Sequence, residues 1–471
     1  MLPDIGVRMG GMLLKILLYA DDLVLLAESS ADLQKMLDLL GVFCDHNAMT
    51  VNVKKSEAVV FNSQYCRNFA SLRLLYGGAE LVIKPSFVYL GMMFDQEHGV
   101  KDAFRRVLNK GRAAMFAMMK RCHELNIHNV HMKCHLFDSL VRPILNYGCQ
   151  IWGPACMVRG TDFIAGVRDE VEKLHMVFLR QCLGIRKSTP IAIVMHELGR
   201  IPLAMSWLKQ VLRFWNKIQA RADDDLVKVA MIESCDLARN GVVNCWGAHL
   251  YSCLSRYDFE LFDFSDPWFD HTSSVLDVDS LMLSAHMNWW ESKISDLPVF
   301  DDDVSHSIVR AQPDDCRKGF KLLTYFSWFA PGDRDLSTRF WFHLNHPEHI
   351  KSVACLRMGS HWLNIECGRF VRPFVGRSAR LCKCCDHAAR EDELHHMLEC
   401  PAFFGLRYQH QRLFGSINGV EGANGENIDL MMRTLMNAPS GCLDVAGFWK
   451  EFGVFVAKSK YQHQQLFSTQ Q

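Results

Sequence analysis

The 471-residue chain lacks a net charge, a long apolar run and an N-terminal targeting signal, with 52 basic and 52 acidic side chains. Its most apolar stretch, MLLKILLYADDLVLLA, contains one lysine and two aspartates, so no membrane span and no membrane partner is expected. The N-terminus has none of the charged, apolar and cleavage regions of a signal peptide. A hydrophobic content of 49% predicts a folded chain of two to four domains and excludes a disordered or collagen-like polymer.

Cysteine is abundant, with 18 residues, although no secretory signal accompanies it. This combination favours a reducing compartment, where metal ligation or plain burial is more usual than a disulfide framework.

Charge is distributed unevenly along the chain. Residues 1–100 carry a net −3, residues 101–220 carry +11, residues 221–310 carry −11 and the remainder carries +3. The basic block indicates a polyanionic partner, and the acidic block indicates a separate surface that would repel one. The alternative is that the two oppositely charged blocks pair with each other inside the chain.

The first hundred residues have the pattern of strands with one packed helix. Apolar strands on both sides of Asp21-Asp22 predict a hairpin, and Gly77-Gly78 predicts a turn before another one. Ser29 or Ser30 is expected to cap a helix over Leu33–Leu40. The sequence therefore predicts an α+β arrangement here.

From residue 100 the apolar spacing becomes helical. Residues 100–121 predict an amphipathic helix with a basic outer face, and further helices are expected near 129–146, 164–183 and 203–221. Thr189 is expected to cap a short helix that begins at Pro190. Residues 222–315 are rich in Asp, Ser, Trp and Phe, which predicts an irregular connection with some short helices.

Three motifs in one order carry a family resemblance. Adjacent carboxylates at the tip of a rigid hairpin suit Mg²⁺, which takes oxygen ligands, although an ordinary Asp-Asp turn is the alternative. The segment LLYADDLVLLAES resembles the palm hairpin of reverse transcriptases. Asn52-Val53-Lys54-Lys55-Ser56 and Phe87-Val88-Tyr89-Leu90-Gly91 are similar to segments that follow this hairpin in the enzymes of non-LTR retrotransposons.

The resemblance implies a role for each matching position. Asp21 would be a catalytic Mg²⁺ ligand and Asp22 its less certain neighbour, while Tyr19 would lie near the primer end. Lys55, or Lys54 in its place, would assist the leaving pyrophosphate, and Leu90 and Gly91 would form the primer grip. The alternatives are a core aromatic for Tyr19 and solvated surface lysines.

The resemblance also implies that segments of the palm and fingers should precede the hairpin. The family places the fingers and an aspartate-bearing palm strand upstream of it, whereas Met1 lies 18 residues before Tyr19. One carboxylate cluster cannot clamp two ions, so we expect no polymerisation by the chain alone. Deoxynucleotides would bind only if the missing palm and fingers were supplied. We also expect exposed strand edges in residues 1–100.

A second constellation lies near the C-terminus, in LCKCCDHAAREDELHHMLECP. Cys382, Cys385, His395 and Cys400 have the ligand types and spacing of a tetrahedral zinc site, with Cys384, His387 and His396 as competing candidates. The alternative is a reduced cysteine cluster without metal. The segment also resembles the C-terminal CCHC element of the same retrotransposon enzymes. Four arginines before it form a candidate phosphate contact: Arg369, Arg372, Arg377 and Arg380.

The basic helix is the third candidate site. Lys101, Arg105 and Arg112 would contact the backbone of an RNA template and DNA primer without reading sequence. A solvated amphipathic helix is the alternative.

The leading interpretation is an α+β chain with four parts. A partial polymerase palm of antiparallel hairpins and a helix (1–98) precedes a mostly α-helical, basic thumb (99–221), an acidic irregular connection (222–350) and a region with a zinc-knuckle-like element (351–471). This would be a fragment of a non-LTR retrotransposon reverse transcriptase, in the nucleus or cytoplasm by resemblance. The alternative is a non-catalytic nucleic-acid-binding protein with a zinc knuckle.

Overall fold

The computed structural model describes residues 4–61, 72–96, 100–157, 170–255, 277–282, 320–328, 338–414, 425–439 and 442–468. The chain divides into two compact units, each made of three segments. The first unit comprises Met1–Gly111, Ile144–Gly166 and Ala204–Ala285. The second unit comprises Arg112–Pro143, Val167–Leu203 and His286–Gln471. The division of the chain into palm, thumb, connection and C-terminal region stays a prediction.

All strands within the described residues lie in the first unit and form two-stranded ribbons. In chain order they are β1 Val7–Met9, β2 Met12–Leu14, β3 Ile16–Tyr19, β4 Asp22–Leu25, β5 Glu57–Ala58, β6 Leu75–Tyr76, β7 Ala79–Glu80, β8 Val82–Ile83, β9 Ser86–Tyr89 and β10 Met92–Asp95. The pairs β1–β2, β3–β4, β6–β7 and β9–β10 are antiparallel hairpins, and β5–β8 is parallel. The hairpin predicted around Asp21-Asp22 is confirmed, with Tyr19 opposite Asp22.

Two-residue turns close these hairpins, and glycine takes a left-handed backbone in most of them. Gly77 and Gly78 have φ of 55° and 79°, which confirms the predicted turn. Leu90 and Gly91 have φ of 48° and 81°, so this turn also has the positive φ pair of a type I′ hairpin.

The helices, in chain order, are α1 Ser30–His46, α2 Val100–Glu124, α3 Val130–Leu136, α4 Arg142–Leu145, α5 Cys149–Met157, α6 Glu170–Leu183, α7 Ile191–Glu197, α8 Leu203–Gln219, α9 Leu226–Arg239, α10 Trp246–Ser255, α11 Phe320–Trp328, α12 Phe340–His343, α13 Pro347–Arg357, α14 Asn364–Cys367, α15 Phe404–Gln409, α16 Gln411–Phe414, α17 Gly425–Asn437 and α18 Val445–Ser468. Among the described residues, π-helical turns at Phe137–Val141 and His395–Glu399 interrupt this pattern, and 3₁₀ turns occupy Val53–Lys55, Gly368–Phe370 and Pro401–Phe403. None of the helices among the described residues combines the length and apolar character that a membrane crossing requires.

Within the described residues of the first unit, apolar side chains form a core around α1 and another around α8. One packs α1 on the ribbons through Leu37, Ala58, Leu74 and Leu81, and Ser29 caps α1 by accepting a hydrogen bond from Asp32 N at 3.1 Å. The other is formed by α8, α9 and α10. The expectation of an irregular connection is therefore wrong for residues 226–255. Cys235, Leu250 and Leu254 in these helices are fully buried. Packing of their apolar faces stabilises α9 and α10. Residues 256–276 and 283–319 lie outside the described part.

The predicted start of α7 is also wrong, by one residue. Pro190 has ψ of 140°, which is extended rather than helical, so Pro190 itself is the N-cap and Thr189 precedes the helix. The helix ends in a left-handed glycine: Gly199 has φ of 58°, and Arg200 N donates to Met195 O at 2.8 Å.

In the second unit, α13 packs on the long C-terminal helix α18 and α11 packs on α17. Glu197 at the end of α7 lies fully buried among Tyr325, Arg339 and Arg357. Because a buried carboxylate needs several donors, this cluster fixes where α7, α11 and α13 meet.

Candidate functional site

The first pair of candidate metal ligands lies in a folded-back loop of the second unit. Leu381 and Arg390 form an antiparallel bridge, and Cys382 N donates to Ala389 O at 2.7 Å. This closes residues 382–389 into a compact loop, which brings Cys382 and Cys385 to the same side.

The second pair is positioned by the π-helical turn His395–Glu399. Its wider winding lets Cys400 N donate to His395 O at 2.7 Å, five residues back. Asp392 Oδ1 accepts a hydrogen bond of 2.9 Å from His395 N and so fixes the start of the turn. As a result, His395 and Cys400 face the loop.

The four predicted ligands converge, since one ligand atom from each lies within 4.8 Å of all the others. Cys382 Sγ is 3.9 Å from Cys400 Sγ, and Cys385 Sγ is 3.4 Å from His395 Nε2. A tetrahedral zinc ion with ordinary bond lengths needs S–S separations of about 3.8 Å and S–N separations of about 3.6 Å. The donor set and its geometry therefore fit a closed zinc site held by Cys382, Cys385, His395 and Cys400.

Hydrogen bonding within the cluster favours a thiolate at one ligand. Cys384 N donates to Cys382 Sγ at 3.4 Å. Hydrogen bonds from the Cys384 and Cys400 side chains lower the pKa of Cys382 far below its usual range, and the same bonds raise the pKa of Cys384 and Cys400. Burial opposes a charge on His395, but hydrogen bonds to Cys382 and Glu399 outweigh it and raise its pKa to about 10. Zinc binding would therefore release protons.

The competing candidates are placed differently. Cys384 belongs to a smaller group with Cys382 and Glu391. His387 is exposed, whereas His396 is buried and its Nε2 lies 3.2 Å from Ser459 Oγ. Neither histidine joins the four-ligand group.

Glu391 is a residue of this site that the sequence motif does not reveal. It is only 1% exposed, and its Oε1 lies 3.8 Å from Cys382 Sγ. The same oxygen accepts a hydrogen bond of 2.6 Å from His463 Nε2 in α18, and Oε2 accepts one of 2.7 Å from Asn364 N. The carboxylate therefore links the loop that carries the first ligand pair to α18 and to the start of α14. The only signal in the sequence is its place between the two ligand pairs.

The arginines before the cluster are only partly available to phosphate. Arg377 and Arg380 are 9% and 5% exposed, and Arg380 donates to the carbonyl oxygens of Ile365 and Val375. The expectation of a phosphate contact is wrong for these two, because the guanidinium of Arg380 binds backbone carbonyls and that of Arg377 is buried near the charges of Glu393 and Asp392. Arg369 and Arg372 are exposed.

In the first unit, the Asp-Asp hairpin presents its tip to solvent. Ala20 and Asp21 form the turn between β3 and β4, and Tyr19, Asp21 and Asp22 are all exposed. Tyr19 is 61% exposed and so is not the core aromatic of the alternative interpretation. Within the described ranges, neither aspartate belongs to a group of potential metal ligands.

The predicted lysines and primer-grip residues, Lys54, Lys55, Leu90 and Gly91, are also exposed. Lys54 and Lys55 lie in the 3₁₀ turn before β5. Leu90 and Gly91 form the turn of the β9–β10 hairpin, where the Tyr147 hydroxyl donates to Leu90 O. Gly91 has a φ of 81°, which residues with a side chain rarely adopt, so glycine suits this turn. Tyr147 was not singled out by the sequence.

The predicted basic helix is confirmed as α2, with Ala103, Val107 and Leu108 buried on one side. Arg105 is exposed and forms an ion pair of 2.8 Å with Asp102, while Arg112 lies 3.7 Å from Glu170. The side chain of Lys101 lies outside the described residues. Exposed ion pairs of this kind are weak, so they leave both arginines available to a stronger anion.

Comparison with known proteins gives one limited similarity. No family model matches the chain. The chain is 26% identical over 185 residues to an uncharacterized transposon-derived protein of Caenorhabditis elegans. The match covers 38% of this chain and 60% of the relative, so the chain spans less than two thirds of the length of that protein. The similarity supports a transposable-element origin for the chain.

Proposed function

We propose that the chain is a portion of a non-LTR retrotransposon reverse transcriptase whose second unit is stabilised by zinc and binds nucleic acid. The observation that carries this proposal is the convergence of Cys382, Cys385, His395 and Cys400 within 4.8 Å. The transposon-derived relative supports the origin. The exposed hairpin with Asp21 and Asp22 at its tip is consistent with a surface that faces a primer end and Mg²⁺.

Zinc content tests the first part of the proposal. The purified full chain, dialysed against metal-free buffer, is expected to retain one zinc ion. Cys385→Ser and Cys400→Ser should lose it, because a three-ligand remnant holds zinc weakly. Cys442→Ser is the matched control, since Cys442 is a free cysteine outside the cluster. Equal zinc content in all four proteins would contradict the site.

Nucleic-acid binding tests the second part. If Arg112 and other exposed cations of the second unit contact phosphates, the affinity for an RNA–DNA hybrid falls steeply with added salt because counterions are released. Fluorescence anisotropy at several salt concentrations measures the slope. A flat response would contradict backbone contacts.

We further propose that the chain does not polymerise by itself. Phosphoryl transfer with two metals needs carboxylates on both sides of the ion pair, and Asp21 provides only one side within the described residues. Primer extension on an RNA template with Mg²⁺ is expected to give no product. Extension that disappears in Asp21→Ala would overturn this point and identify the chain as an active polymerase.

The second candidate function is a non-catalytic nucleic-acid-binding protein. The observation that favours it is the contrast between the two sites, because the zinc ligands form a complete set and the hairpin aspartates do not. Supplying a polypeptide with reverse transcriptase fingers and the upstream palm strands separates the two functions. If primer extension appears in that mixture and is abolished by Asp21→Ala, the chain is part of a polymerase. If no extension appears, the result favours the binding protein.

A further inference from the structure

Two phenylalanine rings are exposed in the segment before the zinc ligands. Phe370 and Phe374 are each 59% exposed. The guanidinium carbon of Arg186 lies 6.0 Å from the Phe370 ring centre, and that of Arg380 lies 5.6 Å from the Phe374 ring centre. Each ring therefore lies near a cation and has a large part of its surface in solvent. Exposure of so much apolar surface to water is unfavourable unless a partner covers it.

The cations beside the rings are held in place by the fold. Arg380 is 5% exposed because it donates to Ile365 O at 2.8 Å and to Val375 O at 3.1 Å. Arg186 donates from its backbone N to Ser360 Oγ at 2.9 Å and from its guanidinium to Cys367 Sγ at 3.8 Å. The rings are thus supported by ordered groups and need little reorganisation to accept a ligand.

The neighbouring charge favours an anionic partner. Arg369 pairs with Glu366 at 3.1 Å, and the same carboxylate binds Lys321 at 2.5 Å, so two cations neutralise one buried acid. Arg372, between the two rings in sequence, is exposed. An anionic partner that also covers flat apolar rings matches this combination.

We infer that Phe370 and Phe374, with Arg186 and Arg372, form a binding surface for single-stranded nucleic acid. This inference rests on the proposed function and specifies which form of nucleic acid the second unit takes. Unpaired bases stack on the exposed rings, and the exposed guanidinium groups contact phosphates. The Cα atoms of the two phenylalanines are at most about 14 Å apart, so one short strand reaches both. Bases in a duplex are already stacked on each other, so a duplex cannot use the rings.

The test compares ring variants of the full chain in anisotropy titrations with a fluorescent 20-nucleotide oligothymidine. Phe370→Ala and Phe374→Ala are each expected to weaken binding by about 5- to 100-fold, because stacking on that ring is lost. Phe370→Tyr keeps the aromatic face and should bind like the parent. Phe404→Ala is the control: Phe404 is 66% exposed in the same unit, and none of the described cations lies over its ring. Zinc content and thermal melting confirm that each variant is folded.

The outcomes separate this inference from the proposed function. Weaker binding in both alanine variants, retained binding in Phe370→Tyr and Phe404→Ala, and weaker binding of the matching duplex support the surface. If both alanine variants bind the oligonucleotide as tightly as the parent chain, the proposed surface is wrong and the proposed function still stands. A zinc-loaded parent chain that binds neither single strands nor hybrids overturns both.

Discussion

Glu391 accepts a hydrogen bond of 2.6 Å from His463 Nε2, and the accepting oxygen lies 3.8 Å from the Sγ atom of Cys382. One buried carboxylate thus joins a zinc ligand to the C-terminal helix α18. His396, next to the ligand His395, contacts Ser459 of the same helix. The metal centre and the packing of α18 are therefore expected to stabilise each other.

Glu391→Gln tests this coupling. The amide retains the shape of the side chain but removes the negative charge beside Cys382, so zinc affinity should fall by about 10- to 100-fold. Competition with a coloured chelator measures the affinity. Glu451→Gln is the control, because Glu451 also lies in α18 but pairs with His410, which is not part of the metal site. Equal affinities in Glu391→Gln and the parent would show that the carboxylate does not act on the metal.

Glu197→Gln should strongly destabilise the second unit. Arg357 donates three hydrogen bonds of 2.9–3.1 Å to Glu197, and both side chains are fully buried. Removing the carboxylate charge leaves the guanidinium buried without its counterion, at a cost of about 3–5 kcal/mol. Urea unfolding measures this loss. Glu124→Gln breaks an exposed pair with Arg121 and should cost at most about 1 kcal/mol; a similar small loss for Glu197→Gln would contradict the prediction.

The Asp138–Arg200 pair predicts a dependence of stability on pH. Burial raises the pKa of Asp138, but two hydrogen bonds of 2.6 Å and the charge of Arg200 outweigh it, so the net pKa lies below the ordinary 3.8. A carboxyl whose pKa is lower in the folded state stabilises the protein above its unfolded pKa, and this contribution disappears as the pH falls through the folded value.

Comparing the parent with Asp138→Asn tests the direction of the pKa shift of Asp138. The difference in melting temperature should be constant above about pH 5 and should shrink as the pH falls below about 4. A difference that grows on acidification would contradict the lowered pKa.

Tyr147→Phe should loosen the turn at Leu90 and Gly91. The substitution removes only the hydroxyl that donates to Leu90 O, and a typical hydrogen bond contributes about 0.5–1.5 kcal/mol. Amide hydrogen exchange in β9 and β10 should therefore accelerate, while exchange in the β3–β4 hairpin should be unchanged. Equal acceleration in both hairpins would point to a general loss of stability.

Local patterns predicted local structure well. The β3–β4 hairpin, the turn at Gly77 and Gly78 and the Ser29 cap depend on residues only a few positions apart, so alternation and turn chemistry suffice to identify them. The four zinc ligands were found for the same reason, because their spacing is set by one short loop and one turn.

Contacts between distant positions could not be predicted from the pattern. Glu391 and His463 are 72 residues apart, and Glu197 and Arg357 are 160 apart. Counting charges also misjudged Arg377 and Arg380, since a count cannot distinguish a solvated guanidinium from a buried one. Residues 226–255 were grouped with the Asp- and Ser-rich segment that follows them, although they carry only two acidic side chains and their apolar residues form the buried faces of α9 and α10.

The central claim is that three thiolates and one imidazole of the second unit hold a single zinc ion. X-ray absorption at the zinc edge of the zinc-loaded full chain tests it most directly. We predict three sulfur neighbours at about 2.3 Å and one nitrogen neighbour at about 2.0 Å. A coordination shell of oxygen atoms, or the same three-sulfur shell in Cys400→Ser, would contradict the account.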